Sequence, residues 1–521
     1  MAPIGILSLK SDILFEFFNL VAATDAPHAL PWADPGPLRY HLGWVRLTHV
    51  CRLWRTVLVD EMPSIWARAV CYMAPHAHDA ILARTLHQPL SLTLNESDIF
   101  GDASRQRLPS QHTLRDRLRD FGVANVTRAR SFRAATFGWD WIPVLKGVHL
   151  PHLTHMELLQ ERPYGDATPA ALLIPLDAPN LTSVKLNEFA ATFTSTSIRS
   201  LTLHGNSMFC TREWSLLGVL GSLTQLEYLE LEMQPPQVAD WRSQATSPIE
   251  LASLKTIRVY GTENADVAGL VELLEIASPL EEHIYYAHIK PEGWERFVRA
   301  LGPILRQPTF NALHLIDDDQ QIVASTSVAI DDLAQYPQPS TAVEEHEVIL
   351  EVEHGSDSER VRAISAALLA HIDRTGIEQI VLNLLGYNIR DEKVHNARNA
   401  LREFHAVTSF AALTHNALKV LRASEDGYIF PRLSLLVAIM ENKEHRGGWD
   451  VESLSAWWNL LCDVLEGRIH AGIPISRVRL VSNASPVIRT HALRQVEDEG
   501  LARVTHLVSE VEDTRKVFES T

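Results

Sequence analysis

Apolar residues recur along this chain with two different spacings, and the change between them divides it. Over residues 6–23 (ILSLKSDILFEFFNLVAA), Leu9, Ile13, Phe17 and Leu20 form one stripe at helical spacing, with Leu14, Phe18 and Val21 beside it. Ser8 or Ser11 can cap its start, and Asp12 sits where the helix dipole favours a negative charge. So wide a stripe on a short helix must be covered by something. The stretch Pro27 to Pro37 (PHALPWADPGP) cannot be helical and reads as a loop. Helical spacing returns from Gly43 to Val59, where Leu47, Val50, Cys51, Trp54, Val57 and Leu58 share one face and Arg46, His49, Arg52 and Arg55 mostly take the other. Asp60-Glu61-Met62-Pro63 ends that helix, and Ile65-Trp66 adds a further apolar anchor.

From about residue 150 a different unit takes over, an apolar triplet of the form L-x-x-L-x-L. Clear copies are Leu153/Met156/Leu158, Leu181/Val184/Leu186, Ile198/Leu201/Leu203, Leu226/Leu229/Leu231 and Leu254/Ile257/Val259. Weaker ones follow at Phe310/Leu313/Leu315, Ile377/Ile380/Leu382, Leu418/Leu421/Ala423, Leu433/Leu436/Ala438, Ile475/Val478/Leu480 and Val504/Leu507/Ser509. Each unit predicts a short strand and a return segment that cannot bury its own apolar side, so neighbours must stack to share a core. Helical returns are readable at Asp266 to Ala277 and Val451 to Glu466. Residues 316–347 break the pattern with Asp317-Asp318-Asp319, Asp331-Asp332, Glu344-Glu345 and two prolines; they read as an acidic insertion or hairpin, with 348–352 (VILEV) an added strand.

Strand side chains alternate, so residues between the anchors face the open side of such a sheet. One column reads His155, Ser183, Ser200, Tyr228, Thr256; the next Glu157, Lys185, Thr202, Glu230, Arg258; the third Leu159, Asn187, His204, Glu232, Tyr260. These polar, mixed-charge columns suit a folded or peptide partner better than a small-molecule pocket. Tyr228, Glu230, Glu232, Thr256, Arg258 and Tyr260 are the candidate target contacts.

At 521 residues the chain exceeds one compact core, so it holds several domains or an elongated repeat. A formal charge of −17 argues against nucleic-acid and anionic-membrane partners. Cys51, Cys71, Cys210 and Cys462 lie too far apart for a disulfide framework or zinc site, and Lys10, Asp12 and Glu16 interrupt any signal-peptide core. An intracellular protein, of cytoplasm or nucleus, is expected. The cluster His149, His152 and His155 sits where a loop enters a strand, pointing the three rings apart, so no metal is expected. His76 and His78 read as solvated loop residues, and Cys51 as buried packing. No nucleophile elbow, P-loop, H-E-x-x-H or dinucleotide fingerprint is present, so neither catalysis nor a cofactor is expected.

Two family resemblances follow from these residues. LKSDILFEFF, followed by WVRLTHVCRLWRTVLVDEMPSIW, resembles the F-box motif, most nearly the fungal version with a Pro-rich insert. Leu9, Asp12, Ile13, Leu14, Glu16 and Phe18 match its first helix, and Val50, Cys51, Trp54, Arg55 and Trp66 its second part; Lys10 stands where the family usually has proline. The triplet resembles a degenerate leucine-rich repeat. The resemblance implies an α/β chain: a helical F-box-like motif at 1–70, a linking helical or capping segment at 71–149, and a repeat solenoid of parallel strands at 150–521. It implies a substrate receptor of an SCF-type ubiquitin ligase. Leu9, Ile13, Leu14, Phe17, Phe18, Val50, Trp54 and Trp66 then divide between docking a Skp-type adaptor, itself tethered to a cullin scaffold, and internal packing. The alternative is a non-ubiquitin interaction scaffold with a decayed F-box.

Overall fold

The first apolar stripe becomes helix α1, Ser11–Thr24. Its N-cap is Lys10, with no side-chain cap bond, so Ser11 is the first helical residue rather than the cap; Ser8 lies outside the described residues. The computed structural model describes residues 10–29, 40–94, 109–135, 141–159, 173–205, 215–233, 247–261, 264–276, 282–288, 294–306, 311–317, 321–327, 347–353, 369, 371–384, 391–424, 427–440, 449–481 and 491–515. They fall into two units, Met1–Ala239 with Ile249–Leu254, and Asp240–Pro248 with Lys255–Thr521.

In the first unit, the stretch 43–59 is not one helix. A 3-10 segment, Gly43–His49, gives way at Cys51 to extended backbone (φ −156°, ψ 169°) before α2, Arg52–Thr56, and a π-turn, Val57–Glu61. The break is local chemistry: Cys51 Sγ accepts the Trp54 N–H at 3.5 Å and caps α2. Cys51 is therefore half-buried rather than packed inside, and Val50 is turned into solvent. Helix α3, Pro63–Ala69, starts on a proline, whose missing N–H would be unpaired there anyway. Gly43 has φ +50°, and a Cβ there would collide with the Asp25 carbonyl oxygen. Trp44 N–H donates to that oxygen at 2.8 Å and Arg46 to the Asp25 carboxylate at 3.0 Å, so the end of α1 and the start of the next segment are tied together. His78 opens the helix His78–Arg84 and is buried, its ring nitrogen 3.3 Å from the Met73 carbonyl, so it is not a solvated loop residue.

Strands β1 (Leu90–Thr93), β2 (Ala129–Ala135), β3 (His155–Leu159), β4 (Ser183–Asn187), β5 (Ser200–Gly205) and β6 (Tyr228–Met233) pair in that order, all parallel. The triplet positions Leu153/Met156/Leu158, Leu181/Val184/Leu186, Ile198/Leu201/Leu203 and Leu226/Leu229/Leu231 are all buried. Buried aliphatic side chains each stabilise by about 1.5–3 kcal/mol, which is why this spacing reads so plainly. The ladder begins at Leu90, within the segment read as a link. There the triplet is Ala129/Phe132/Ala134, buried but with alanine in two aliphatic places.

In the second unit the order is β7 (Thr256–Gly261), β8 (Glu282–His288), β11 (Glu347–Glu353), β10 (Gln321–Ser327), β9 (Ala312–Asp317), then β12 (Gln379–Leu384), β13 (Ser409–Ala412), β14 (Leu435–Ile439), β15 (Arg477–Val481) and β16 (Glu510–Asp513). Only β10 is antiparallel to its neighbours, β9 and β11. The acidic region thus contains an antiparallel partner for β9, and VILEV lies in β11; residues 318–320 and 328–346, with Asp318-Asp319, Asp331-Asp332 and Glu344-Glu345, lie outside the described set.

Two strand assignments are corrected. Leu418 belongs to the helix His415–Lys419 and Leu421 to the turn after it, the strand being β13 with Val407/Phe410/Ala412 buried. Val504 and Leu507 belong to the helix His491–Leu507, and β16 follows it. The first step of the triplet, i to i+3, is also a helical step, so two apolar residues at that spacing fit both. The helix read at 266–277 is Asn264–Val271 followed by a short strand, Leu274–Glu275, and that read at 451–466 runs on as Val451–His470. Among the described residues no helix is long and apolar enough to cross a membrane.

Burial, with Lys419 and Arg422 nearby, holds the His415 imidazole down to about 4. The unfolded chain protonates this ring below its ordinary 6.5 and the folded chain does not, so the stability it contributes is whole above pH 6.5 and falls as pH drops towards 4. His415→Gln is expected to flatten the pH dependence of the urea midpoint across that window; an unchanged slope would remove His415 as its source.

Candidate functional surfaces

The N-terminal helices separate their apolar residues into two sets. Leu14, Phe18, Trp54 and Trp66 are buried, together with Trp44, Val57, Leu58 and Ile65. Phe18 meets Trp54 edge-on at 5.2 Å, and Trp44 meets Trp66 edge-on at 4.7 Å. Trp66 Nε1 donates to the Leu58 carbonyl at 2.6 Å, and the Arg84 guanidinium lies over its ring at 4.6 Å. The second set stays in solvent: Ile13 is 50% exposed, Phe17 37%, Leu20 64%, Val50 56% and Leu53 37%. Ile13, Phe17 and Leu20 stand at i, i+4 and i+7, one side of α1. The Phe17 ring bridges the sets, 5.7 Å from Trp54. Leu9 lies outside the described residues. Leu20 and Leu53, missed as docking candidates, carry the same signal as Ile13 and Val50: an aliphatic on a short helix with nothing of its own to cover it.

The open face of the first ladder carries the columns in the expected register. Ser131, His155, Ser183, Ser200 and Tyr228 align across neighbouring strands; so do Arg133, Glu157, Lys185, Thr202 and Glu230; and so do Ala135, Leu159, Asn187, His204 and Glu232. Strands about 4.8 Å apart bring such side chains within ion-pair reach. Arg133 pairs with Glu157 at 2.8 Å, and Lys185 reaches the same carboxylate at 3.8 Å. His204 sits between two carboxylates, Nε2 at 2.8 Å from Glu230 and Nδ1 at 3.5 Å from Glu232. The Tyr228 hydroxyl donates to the other oxygen of Glu230. The structure therefore gathers Tyr228, Glu230 and Glu232 around His204, which fixes their rotamers before any partner arrives. Such an arrangement presents directed acceptors and donors on a half-exposed surface.

Thr256, Arg258 and Tyr260 belong to the second unit, together on β7 and half-buried. They stand in register with Glu282, Ile284 and Tyr286 of β8. Farther along this ladder the second face changes character. Val381, Ala411, Val437, Ile439 and Val481 form a buried apolar cluster, on the opposite side of their strands from Ile380, Phe410, Leu436 and Leu480. β12–β14 are thus largely apolar on both faces, as the near-continuous runs QIVLNL and LLVAI indicate, whereas β15 carries Arg477 and Arg479 on the same face as Val481.

His149 pairs with Asp177 at 2.9 Å and His155 with the Thr154 hydroxyl at 2.7 Å, so the histidine cluster does not converge. Among the described residues no group of three or more His, Cys, Asp or Glu side chains could hold a metal ion. Burial pushes the Cys71 thiol up to about 12 and raises that of Cys462, which keeps both as unreactive thiols. The chain matches no protein-family model and no curated protein.

Proposed function

We propose that the chain is the substrate-recognition subunit of an SCF-type ubiquitin ligase. In this reading residues 1–70 are an F-box-like motif that docks a Skp-type adaptor, and the strand ladders are a degenerate leucine-rich-repeat solenoid that holds a target protein. The observation that carries it is the partition on the N-terminal helices. The motif residues Leu14, Phe18, Trp54 and Trp66 are inside, whereas Ile13, Phe17 and Val50 remain exposed with Leu20 and Leu53. A folded helical module keeps so many exposed aliphatics where a partner covers them. The polar open face of β3–β6 supports the second half, since fixed Glu, His, Lys and Tyr side chains suit a protein surface. Chemistry then occurs on the ligase's other subunits, and this chain contributes proximity.

Affinity purification with the proteasome inhibited tests both halves in one experiment. Wild type is expected to retain a Skp-type adaptor and a cullin together with targets that accumulate on inhibition. Glu230→Lys with Glu157→Lys is expected to lose targets at least tenfold and to keep the adaptor. A scaffold outside the ubiquitin pathway would capture targets without adaptor or cullin, and the inhibitor would not change their amount.

A further inference from the structure

In the second unit a solvent-open depression of about 610 Å³ lies just before β12, lined by Arg306, Ile372, Asp373 and Arg374, of which Ile372 is buried. Arg306 follows the helix Trp294–Leu305; its Nε donates to the His371 carbonyl at 3.2 Å and its Nη2 meets His371 Nδ1 at 3.0 Å. Arg374 Nε donates to the Leu369 carbonyl at 3.3 Å, and its Nη1 pairs with Glu403. Each guanidinium is thus anchored through two nitrogens, and among the described residues Nη1 of Arg306 and Nη2 of Arg374 are left to a further acceptor. Anchored guanidiniums lose little freedom on binding, which raises their affinity for planar oxyanions.

The surroundings are built for close approach. The helix passes His371 at Gly302, where a Cβ would stand 3.0 Å from His371 Nδ1. Burial and the charges of Arg306 and Arg299 hold the His371 imidazole below its usual range, so the ring stays neutral and accepts from Arg306. Asp373 spends one carboxylate oxygen on the Thr375 N–H (3.0 Å) and hydroxyl (2.7 Å), which closes the 373–376 turn. Among the described lining residues two guanidiniums, Arg306 and Arg374, stand with one carboxylate, Asp373, and the charge of Arg299 also acts on His371, in a chain of net charge −17.

We propose that this depression binds a small molecule through an oxyanion, phosphoryl or carboxylate, held between Arg306 and Arg374 with Ile372 as the apolar wall. None of the candidate adaptor or target contacts is among the described residues that line it. Calorimetric titration of the full chain with pyrophosphate in one arm and citrate in the other, at physiological salt, tests it and separates the two oxyanion classes. Saturable one-to-one binding in at least one arm is expected, weakened at least tenfold by Arg306→Gln with Arg374→Gln and unchanged by Arg477→Gln. Circular dichroism and the urea midpoint check that the variants fold; if the double variant does not, Arg306→Lys, which keeps the charge but not the planar fork, decides, with severalfold weaker binding expected. Absence of saturation up to about 10 mM ligand, equal binding by the folded variants, or an equal loss in Arg477→Gln would overturn the proposal.

Discussion

Aspartate at both Ile13 and Val50 is expected to abolish capture of a Skp-type adaptor while leaving the fold intact. The two side chains are about half exposed in the free chain, 50% and 56%, so charging them costs the isolated protein little. In a docked complex each would be buried. Losing about 1.5–3 kcal/mol of apolar burial at each position, and burying an unpaired carboxylate in its place, predicts a loss on the order of a thousandfold in affinity. The contrasting variant is Leu14→Asp. Leu14 is fully buried, so a charge there should unfold the helices and lose the adaptor for a different reason. Binding by calorimetry, read beside the circular dichroism of each variant, separates the two. If the double variant binds as wild type does, these residues are not the docking surface.

The largest expected stability effect is in the second unit, at Arg468. This side chain is fully buried, and it donates to the Ile429 carbonyl at 2.9 Å and the Phe430 carbonyl at 2.7 Å. Phe430 has φ +52°, a left-handed conformation that bulky residues rarely adopt, and the arginine fork holds the turn in it. Burial pushes the Arg468 guanidinium down to about 10, still charged near neutrality, so both bonds are charge-assisted. Arg468→Met keeps the stem but takes the side-chain donor from the Ile429 carbonyl and leaves the Phe430 carbonyl with only the Leu433 N–H, a cost of about 2 kcal/mol after the desolvation of the charge is relieved. A fall in the urea midpoint, with amide exchange speeding first around Phe430 to Leu433, is the expected result. An unchanged midpoint would mean that water satisfies those carbonyls.

Legibility in the sequence followed burial. Where a strand has one apolar and one polar face, as in Leu181/Val184/Leu186, alternation places both the core and the open-face columns, and the backbone register agrees. It failed where volume was traded away, as in Ala129/Phe132/Ala134; in β12 and β14, apolar on both faces, the triplets Ile377/Ile380/Leu382 and Leu433/Leu436/Ala438 are buried as read, but alternation assigns no open face. It failed again where helix and strand share the i to i+3 step, at Leu418/Leu421 and Val504/Leu507. On the N-terminal helices, spacing showed which residues were apolar but not which were inside. For Val50 that division follows the break at Cys51, where the sulfur accepts the Trp54 N–H, which no periodicity reports. The depression at Arg306 and Arg374 was not legible at all, because its residues come together only through the turn before β12.

The most direct test is co-expression of the full chain with a Skp-type adaptor, followed by size-exclusion chromatography with the mass of the eluting species measured. A stable one-to-one complex, lost on Ile13→Asp with Val50→Asp, is the expected result. A chain that elutes alone at micromolar concentration, folded and with its exposed aliphatics uncovered, would contradict the assignment as a ligase subunit.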